Sequence, residues 1–472
     1  MIPSPLGAER GNLHVAMRCA RPARLLLPLL VVAVVPCRAQ ELPEPGESEA
    51  DLSGVGPVES STIAAVDSAQ EPEEEGEYHT PLAGRPYRAT VFGRDVEIEP
   101  RDRGTTFALN VGGAYFNIQK GDTSATPIFA GYGKFYFAQR RFRLVTSVFV
   151  NSFDYAEDFG GPESLFHFEN FTIPFGTEEV IDGRSREETR LVWGDVNAWL
   201  GAGYRWRISP GEVDNDVRLG AYYTIGYEYH DRTDDTPPTE RVATDTFRHG
   251  IRLVLRVDAI MRNLLELPHY GFACGADYEL TRRDRWRDHG EPTVRIVDGD
   301  ETRDYQKVSA YAVLAFGVPF LSERHRLVAQ VHAGYSKHDT VDRYSAFRLG
   351  GGPIPTESAD LARAPFPGAG FNQYPVEDYL YVTLEYRFEV MFFLYLHLRG
   401  TVGIAKAPTL DTGRTVDRLR FQRREGYALT VAITSGFVWE SQVYVEYDYD
   451  ITGGLRGGIG GSTVLVLWSK SF

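Results

Sequence analysis

Catalysis would need a nucleophile beside a base, or ligands at metal spacing, and the chain offers little of either. No histidine pair stands at zinc spacing and no serine sits in a nucleophile elbow. The run Gly453-Gly-Leu-Arg-Gly-Gly-Ile-Gly-Gly461 lacks the Lys-Ser/Thr of a phosphate loop and reads as a flexible late loop. Asp298-Gly-Asp300-Glu301 has carboxylates at a spacing that suits a hard cation, although a solvated acidic loop explains it more simply. His249 and His332 read as polar lining of a lumen. The expectation is no enzyme, no cofactor and no metal, with a lipase-like barrel enzyme as the remote alternative. The chemistry that stands out is charge in register: Arg248, Arg252, Arg256 and Asp258 on one segment, Glu385, Arg387 and Glu389 on another. Such residues either line a channel and set its field or pair across strands and stiffen an interior, and the sequence leaves both open.

The elements that must carry these charges alternate with period two from residue 104 onward. In Val217 to Tyr229 the odd positions are Val217, Leu219, Ala221, Tyr223, Ile225, Tyr227 and Tyr229, against Arg218, Thr224 and Glu228 on the even side. Ser441 to Asp450 and Leu380 to Val390 repeat the pattern. One face suits lipid, the other a wet lumen, and a slip of one residue would put the charges in lipid.

Segments of this kind fall near 107–119, 126–138, 142–156, 189–207, 216–231, 246–262, 267–284, 303–320, 324–342, 377–389, 391–404, 426–436, 438–450 and 460–472, fourteen in all. Residues 166–175 can supply a further strand pair. Tight connections alternate with long ones at 157–188, 232–245, 285–302, 343–376 and 405–425. The fold class expected is therefore all-β, a transmembrane antiparallel barrel of 14–16 strands with short periplasmic turns and long extracellular loops. A soluble sandwich or propeller is the competing all-β class. Several segments are longer than the roughly 9–11 residues that cross a tilted barrel wall, and apolar along their whole length, which favours the barrel.

The two ends agree with that class. Arg21-Pro-Ala-Arg24, then the apolar run Leu25 to Val35, then Cys37-Arg38-Ala39, read as a secretory signal over 1–39, with Met17 an alternative start. Residues 40–103 are Pro-rich and acidic (Glu71-Pro-Glu-Glu-Glu75-Gly-Glu77) and read as a mostly disordered periplasmic leader, in which Tyr87 to Phe92 can dock or form a stray strand. After signal removal Cys274 is the one cysteine left, so no disulfide framework is expected. In the final run, Val464, Val466, Trp468 and Phe472 share one face, as a closing strand requires, and Lys470 on that face can snorkel to an interface.

Composition excludes some partners. A formal charge of −15 argues against nucleic acid, while 26 Tyr, 27 Phe and 47 Gly suit aromatic girdles and closely packed strands. The expected location is the bacterial outer membrane, with outer-membrane lipid and lipopolysaccharide as surroundings and the barrel-assembly machinery as partner during insertion.

Arg343-Tyr-Ser-Ala-Phe347-Arg-Leu349-Gly350-Gly351, followed after a loop by Tyr381-Val-Thr-Leu-Glu385-Tyr-Arg387, resembles the BamA/TamA-type bacterial surface-antigen barrels, and five strands follow the loop as in that family. Arg140-Arg-Phe-Arg-Leu144 and Pro268-His-Tyr-Gly271 add to the resemblance, which spans roughly 104–472. It implies sixteen strands, a 343–376 loop folded toward the lumen, and a role in outer-membrane biogenesis or as a gated translocation pore. Where the family carries an Arg-Gly-aromatic loop tip, this chain has Arg363-Ala-Pro-Phe366-Pro-Gly368; Arg363 is thus the lock candidate, with Glu385 its suggested partner. The family's large members carry periplasmic domains, for which this sequence has no room. A passive solute porin is the alternative function.

Overall fold

The computed structural model describes residues 78–91, 93–98, 104–119, 122–137, 139–147, 149–182, 184–208, 215–290, 296–350, 361–369, 374–411, 418–436, 441–452 and 461–472. The expected signal and most of the leader lie outside the described residues.

Among the described residues there are twenty strands and one short helix. A small hairpin, β1 (Tyr87–Val91) and β2 (Arg94–Ile98), comes first. The wall begins with β3 (Thr105–Gln119), β4 (Asp122–Phe137), β5 (Arg140–Ser147), β6 (Val150–Asp158), β7 (Pro162–Ile181) and β8 (Arg184–Arg207). It continues with β9 (Asp216–Arg232), β10 (Thr246–Arg262), β11 (Pro268–Arg283), helix α1 (Gly299–Thr302), β12 (Asp304–Gly317) and β13 (His325–Ser336). Two three-residue strands, β14 (Phe347–Leu349) and β15 (Tyr374–Val376), pair only with each other. The last five are β16 (Tyr379–Met391), β17 (Leu394–Asp411), β18 (Arg418–Gly436), β19 (Ser441–Asp450) and β20 (Gly461–Ser471). β3 to β13 and β16 to β20 form one closed antiparallel barrel of sixteen strands, with β20 paired to β3.

Fourteen became sixteen for two reasons. The segment 142–156 is a hairpin, β5 and β6, turning at Phe149. Its outward face sits on even residues up to Leu144 and on odd ones from Phe153, which pair directly. That change of parity was the sequence signal of a turn, and Ser147 caps it by accepting from Phe149 N (3.3 Å) and Val150 N (2.9 Å). Residues 166–175 then belong to a single strand, β7, so the predicted long loop 157–188 is a tight turn at Phe159-Gly160-Gly161 plus wall. The predicted loop 405–425 is likewise largely strand, because β17 and β18 extend to Asp411 and from Arg418.

The face turned outward is apolar, as expected for lipid contact. Phe107, Phe135, Phe137, Trp206, Tyr270 and Phe472 ring the rim where the tight turns lie, and Tyr115, Tyr227, Phe247, Tyr335, Tyr427 and Tyr449 ring the loop rim. From the sequence, the turn rim is expected on the periplasmic side. His249 shares the face of Phe247 and Ile251, so it points outward and not into the lumen as expected.

Closure is a full strand-to-strand contact. β20 pairs with β3 from Thr463↔Phe116 to Ser471↔Ala108, Phe472 N donates to Phe107 O (2.8 Å), and the two rings lie 5.8 Å apart, tilted by 41°. Val464, Val466, Trp468 and Phe472 are all exposed on the outer face, and Lys470 lies over the Phe472 ring (5.1 Å). Gly112 faces Leu467 at this seam, and a Cβ there would collide with the Val466 carbonyl oxygen. Gly112→Val is therefore expected to open the seam, seen as loss of the folded, heat-modifiable band in cold SDS gels, whereas substitution at Gly400, whose Cβ meets nothing within 4 Å, leaves the band intact.

Candidate functional site

Part of the chain's own long loop lies in the lumen. After β13 the backbone forms the β14–β15 pair and returns to β16, and between them residues 361–369 enter the barrel. Leu361 and Ala362 pack on inward residues of β10 to β13: Ile260, Ala273, Tyr311, Val313, Ala315 and Val328. His332 Nε2 lies 3.0 Å from Leu361 O, which places this histidine in the lumen as expected. Phe366, fully buried, packs on Tyr374 and Tyr381, with Gly426 leaving room for its ring. Leu349 is buried in the same cluster and Phe347 packs on it. The motif Phe347-x-Leu349-Gly350 thus anchors the entry of the loop; Gly350 has φ 138°, open to glycine alone at low cost. Gly351 lies outside the described residues.

Arg363 does not reach Glu385. It donates to Gly350 O (2.7 Å), holding the loop to its own entry. Glu385 is occupied by Arg387 (2.6 Å), Arg399 (2.6 Å) and His397 (2.9 Å), and Arg399 continues to Glu446 (2.6 Å) and Tyr444 (2.8 Å). These buried groups tie β16 to β19 on the inner wall. Because a lone carboxylate there would be costly, each charge stands where its partner compensates it.

The arginine ladder of β10 resolves the same way. Arg248 pairs with Asp195 (2.9 Å) and Glu228 (3.4 Å) and donates to Asn197; Arg252 (3.3 Å) and Arg256 (2.6 Å) share Asp277; Asp258 pairs with Arg262 (2.6 Å). Of the two sequence readings, cross-strand pairing is the one the geometry supports.

Over the loop rim stands a roof that the sequence did not reveal. β7 and β8 have 20 and 24 residues, β17 and β18 have 18 and 19, far more than a wall crossing needs. β7 and β17 lie eight places apart in the ring of sixteen, on opposite walls. They meet: Asp182 N donates to Pro408 O (3.0 Å), Thr409 Oγ1 and Arg424 (3.3 Å) donate to the Asp182 carboxylate, and Val180 joins the plug cluster. Arg343, at the start of the loop, donates to Thr189 O (2.9 Å) and Thr177 O (3.2 Å) of the β7–β8 hairpin. Beneath, Asp342 and Arg283 form a two-point ion pair (2.7 and 3.2 Å), both without exposed surface, and Arg283 lies over Trp286 (4.1 Å).

The turn rim is strapped too. Tyr78 and Thr80 (2.6 Å) donate to Glu389, Thr80 N donates to Glu323 (3.1 Å), and Ala83 N donates to Arg262 O (2.9 Å). Tyr87 meets Phe392 edge-on at 5.2 Å. Glu389 is thus an anchor for the leader rather than part of a lumen ring, and the docking of the Tyr87 run is realised as a hairpin.

Two arrangements resemble chemistry. Thr434 Oγ1, His397 and Glu385 form a line (2.8 and 2.9 Å) with the order of nucleophile, base and orienting acid. Thr434 has no exposed surface and Glu385 is neutralised by two arginines, so the line acts as a strut. His338, Asp339 and Glu377 converge within 4.8 Å, but Lys406 (3.0 Å) and Asp339 N (2.9 Å) already occupy the Glu377 carboxylate. Asp298 is the N-cap of α1, accepting from Asp300 N (2.9 Å) and Glu301 N (3.2 Å), which accounts for the acidic run.

The Arg283–Asp342 pair gives a test. Burial pushes the Asp342 carboxyl up, but Arg283 beside it, helped by His289, outweighs burial and holds it well below the usual carboxylate range. A depressed carboxyl stabilises above its unfolded value of about 3.9 and loses that contribution only as pH falls toward the folded value. Protease resistance of the 343–376 loop in reconstituted protein should therefore be unchanged between about pH 7 and pH 4. Asp342→Asn removes the nearer of the two carboxylates on Arg283, leaving Glu228 at 3.5 Å as its only ionic partner among the described residues, and should make the loop cleavable across that range.

Among solved structures, the chain is similar to BamA from Haemophilus ducreyi lacking POTRA domains 1–3, at 10% identity over 82% of this chain and 75% of that one, with a TM-score of 0.46. It is similar also to CdiB from Acinetobacter baumannii (10% identity, 82% and 65% covered, TM-score 0.43) and CdiB from Escherichia coli (13%, 83% and 68%, 0.42). No protein-family model and no curated protein matches the chain.

Proposed function

We propose that this chain is a surface-antigen-type outer-membrane barrel that rests closed and works as a gated barrel, in outer-membrane biogenesis or in translocation of a substrate across the membrane, without enzymatic activity. The observation that carries this reading is the double occlusion: residues 361–366 pack into the lumen, and the β7–β8 and β17–β18 hairpins meet above it. A passive porin keeps an aqueous channel along its axis, whereas here the β10 arginines are spent on neighbouring carboxylates. A closed resting state with a glycine-bounded loop suits a barrel that opens on engagement of a partner or cargo. The Phe347-x-Leu349-Gly350 entry and the sixteen strands support the surface-antigen type.

Planar-bilayer conductance tests the reading. The intact protein should be nearly silent. Deleting 351–373 should give conductance in flickering steps, because the roof remains. Steady, equal and large currents from both forms would contradict it and favour the porin.

A further inference from the structure

The barrel wall is not equally tall all round. β5 and β6 have eight and nine residues and turn at Phe149, well short of their neighbours. β4 pairs with β5 only from Phe137 back to Ala130, and β7 with β6 only up to Phe171. Above the turn, β4 from Asp122 to Phe129 and β7 from Thr172 to Ile181 each lack a strand on the facing side, among the described residues. The result is a notch in the loop-side half of the wall.

The outward residues below the notch change character early. On β5 they run Phe142, Leu144, then Thr146; on β6 Tyr155, Phe153, then Asn151; on β7 Phe166, Phe168, then Asn170. On β9 the same face runs Val217, Leu219, Ala221, Tyr223 and Ile225 before Tyr227. Two apolar residues at about 3.3 Å per position and a tilt near 45° give an apolar belt of about 10 Å, against the roughly 25 Å usual for such barrels. Thr146 donates to Asn151 (2.6 Å), Thr172 to Asn170 (3.0 Å) and Tyr229 to Thr172 (2.8 Å), forming a polar patch on the outer wall.

We propose that this patch is a lipid-headgroup bay: at β5–β6 the leaflet on the loop side thins, and its polar headgroups descend onto Thr146, Asn151, Asn170 and Thr172. The proposal rests on the membrane placement of the barrel. Unpaired strand edges and side-chain amides are not left facing hydrocarbon, so something polar must meet them. An added β-strand is the other candidate. Against it, each open edge carries a proline, Pro127 on β4 and Pro174 on β7, which removes a backbone donor and blunts the edge against pairing. Headgroups need no register and tolerate those prolines.

The test uses full-length protein lacking its three native cysteines, in phosphatidylethanolamine/phosphatidylglycerol vesicles, with a nitroxide at Asn151→Cys, Asn170→Cys or Leu429→Cys. Asn151 and Leu429 each lie six residues from a polar outward residue at the turn rim, Glu157 and Ser435, and so at comparable height. Cold-gel mobility confirms that each variant is folded. The ratio of collisions with a polar nickel chelate to collisions with oxygen should be several-fold higher at 151 and 170 than at 429. Equal, oxygen-dominated readings overturn the bay, and shielding of 151 from both reagents overturns it in favour of a seated polypeptide. A polar reading at 429 as well overturns it together with the membrane placement, whereas an oxygen-dominated 429 shows that placement to hold whatever residue 151 reports.

Discussion

Most of this molecule follows from one constraint: a sheet that crosses lipid leaves no unpaired backbone edge facing the hydrocarbon. β20 therefore returns to β3, and the sixteen-strand ring closes with Phe472 beside Phe107. Closure fixes which residues face lipid, because a single register makes alternate positions outward around the whole circumference. It also creates an enclosed interior, in which polar groups must find partners among themselves.

That second consequence explains the lumen. Arg248, Arg252, Arg256, Arg283 and Arg399 each meet carboxylates from other parts of the barrel or its loop, and Arg387 meets Glu385 of its own strand. Pairs of this kind gain little net stability over an apolar core, but losing one partner strands a buried charge. The loop is held by the same logic: Asp342 secures its base to Arg283, while Leu361 and Phe366 fill apolar patches of the inner wall. The roof rests on Asp182, which joins hairpins from opposite walls.

Much of the fold was legible because period-two alternation is local. β9, β10 and β11 were read to within one residue at either end. The β5–β6 turn was legible too, in the parity change between Leu144 and Phe153, but a run of mixed Val, Ser and Phe masked it. The roof was not, since Asp182 and Thr409 are 227 positions apart and nothing in either segment marks the other. The Phe347-x-Leu349-Gly350 loop entry could be recognised, whereas the fate of Arg363 could not: Glu385 already holds Arg387, Arg399 and His397. The leader's docking through Tyr78 and Thr80 was hidden for the same reason, because Glu389 looked like one more lumen charge.

The central claim is that the lumen is closed by the chain's own loop, and the accessibility of the loop inside the barrel tests it most directly. A single cysteine at Ala362, which packs on the inner wall, can be challenged with a membrane-impermeant maleimide from both sides of the vesicle. Occlusion predicts slow labelling from either side, compared with a cysteine at exposed Phe320. Labelling of Ala362→Cys as fast as that of Phe320→Cys would mean an open lumen and would contradict the account.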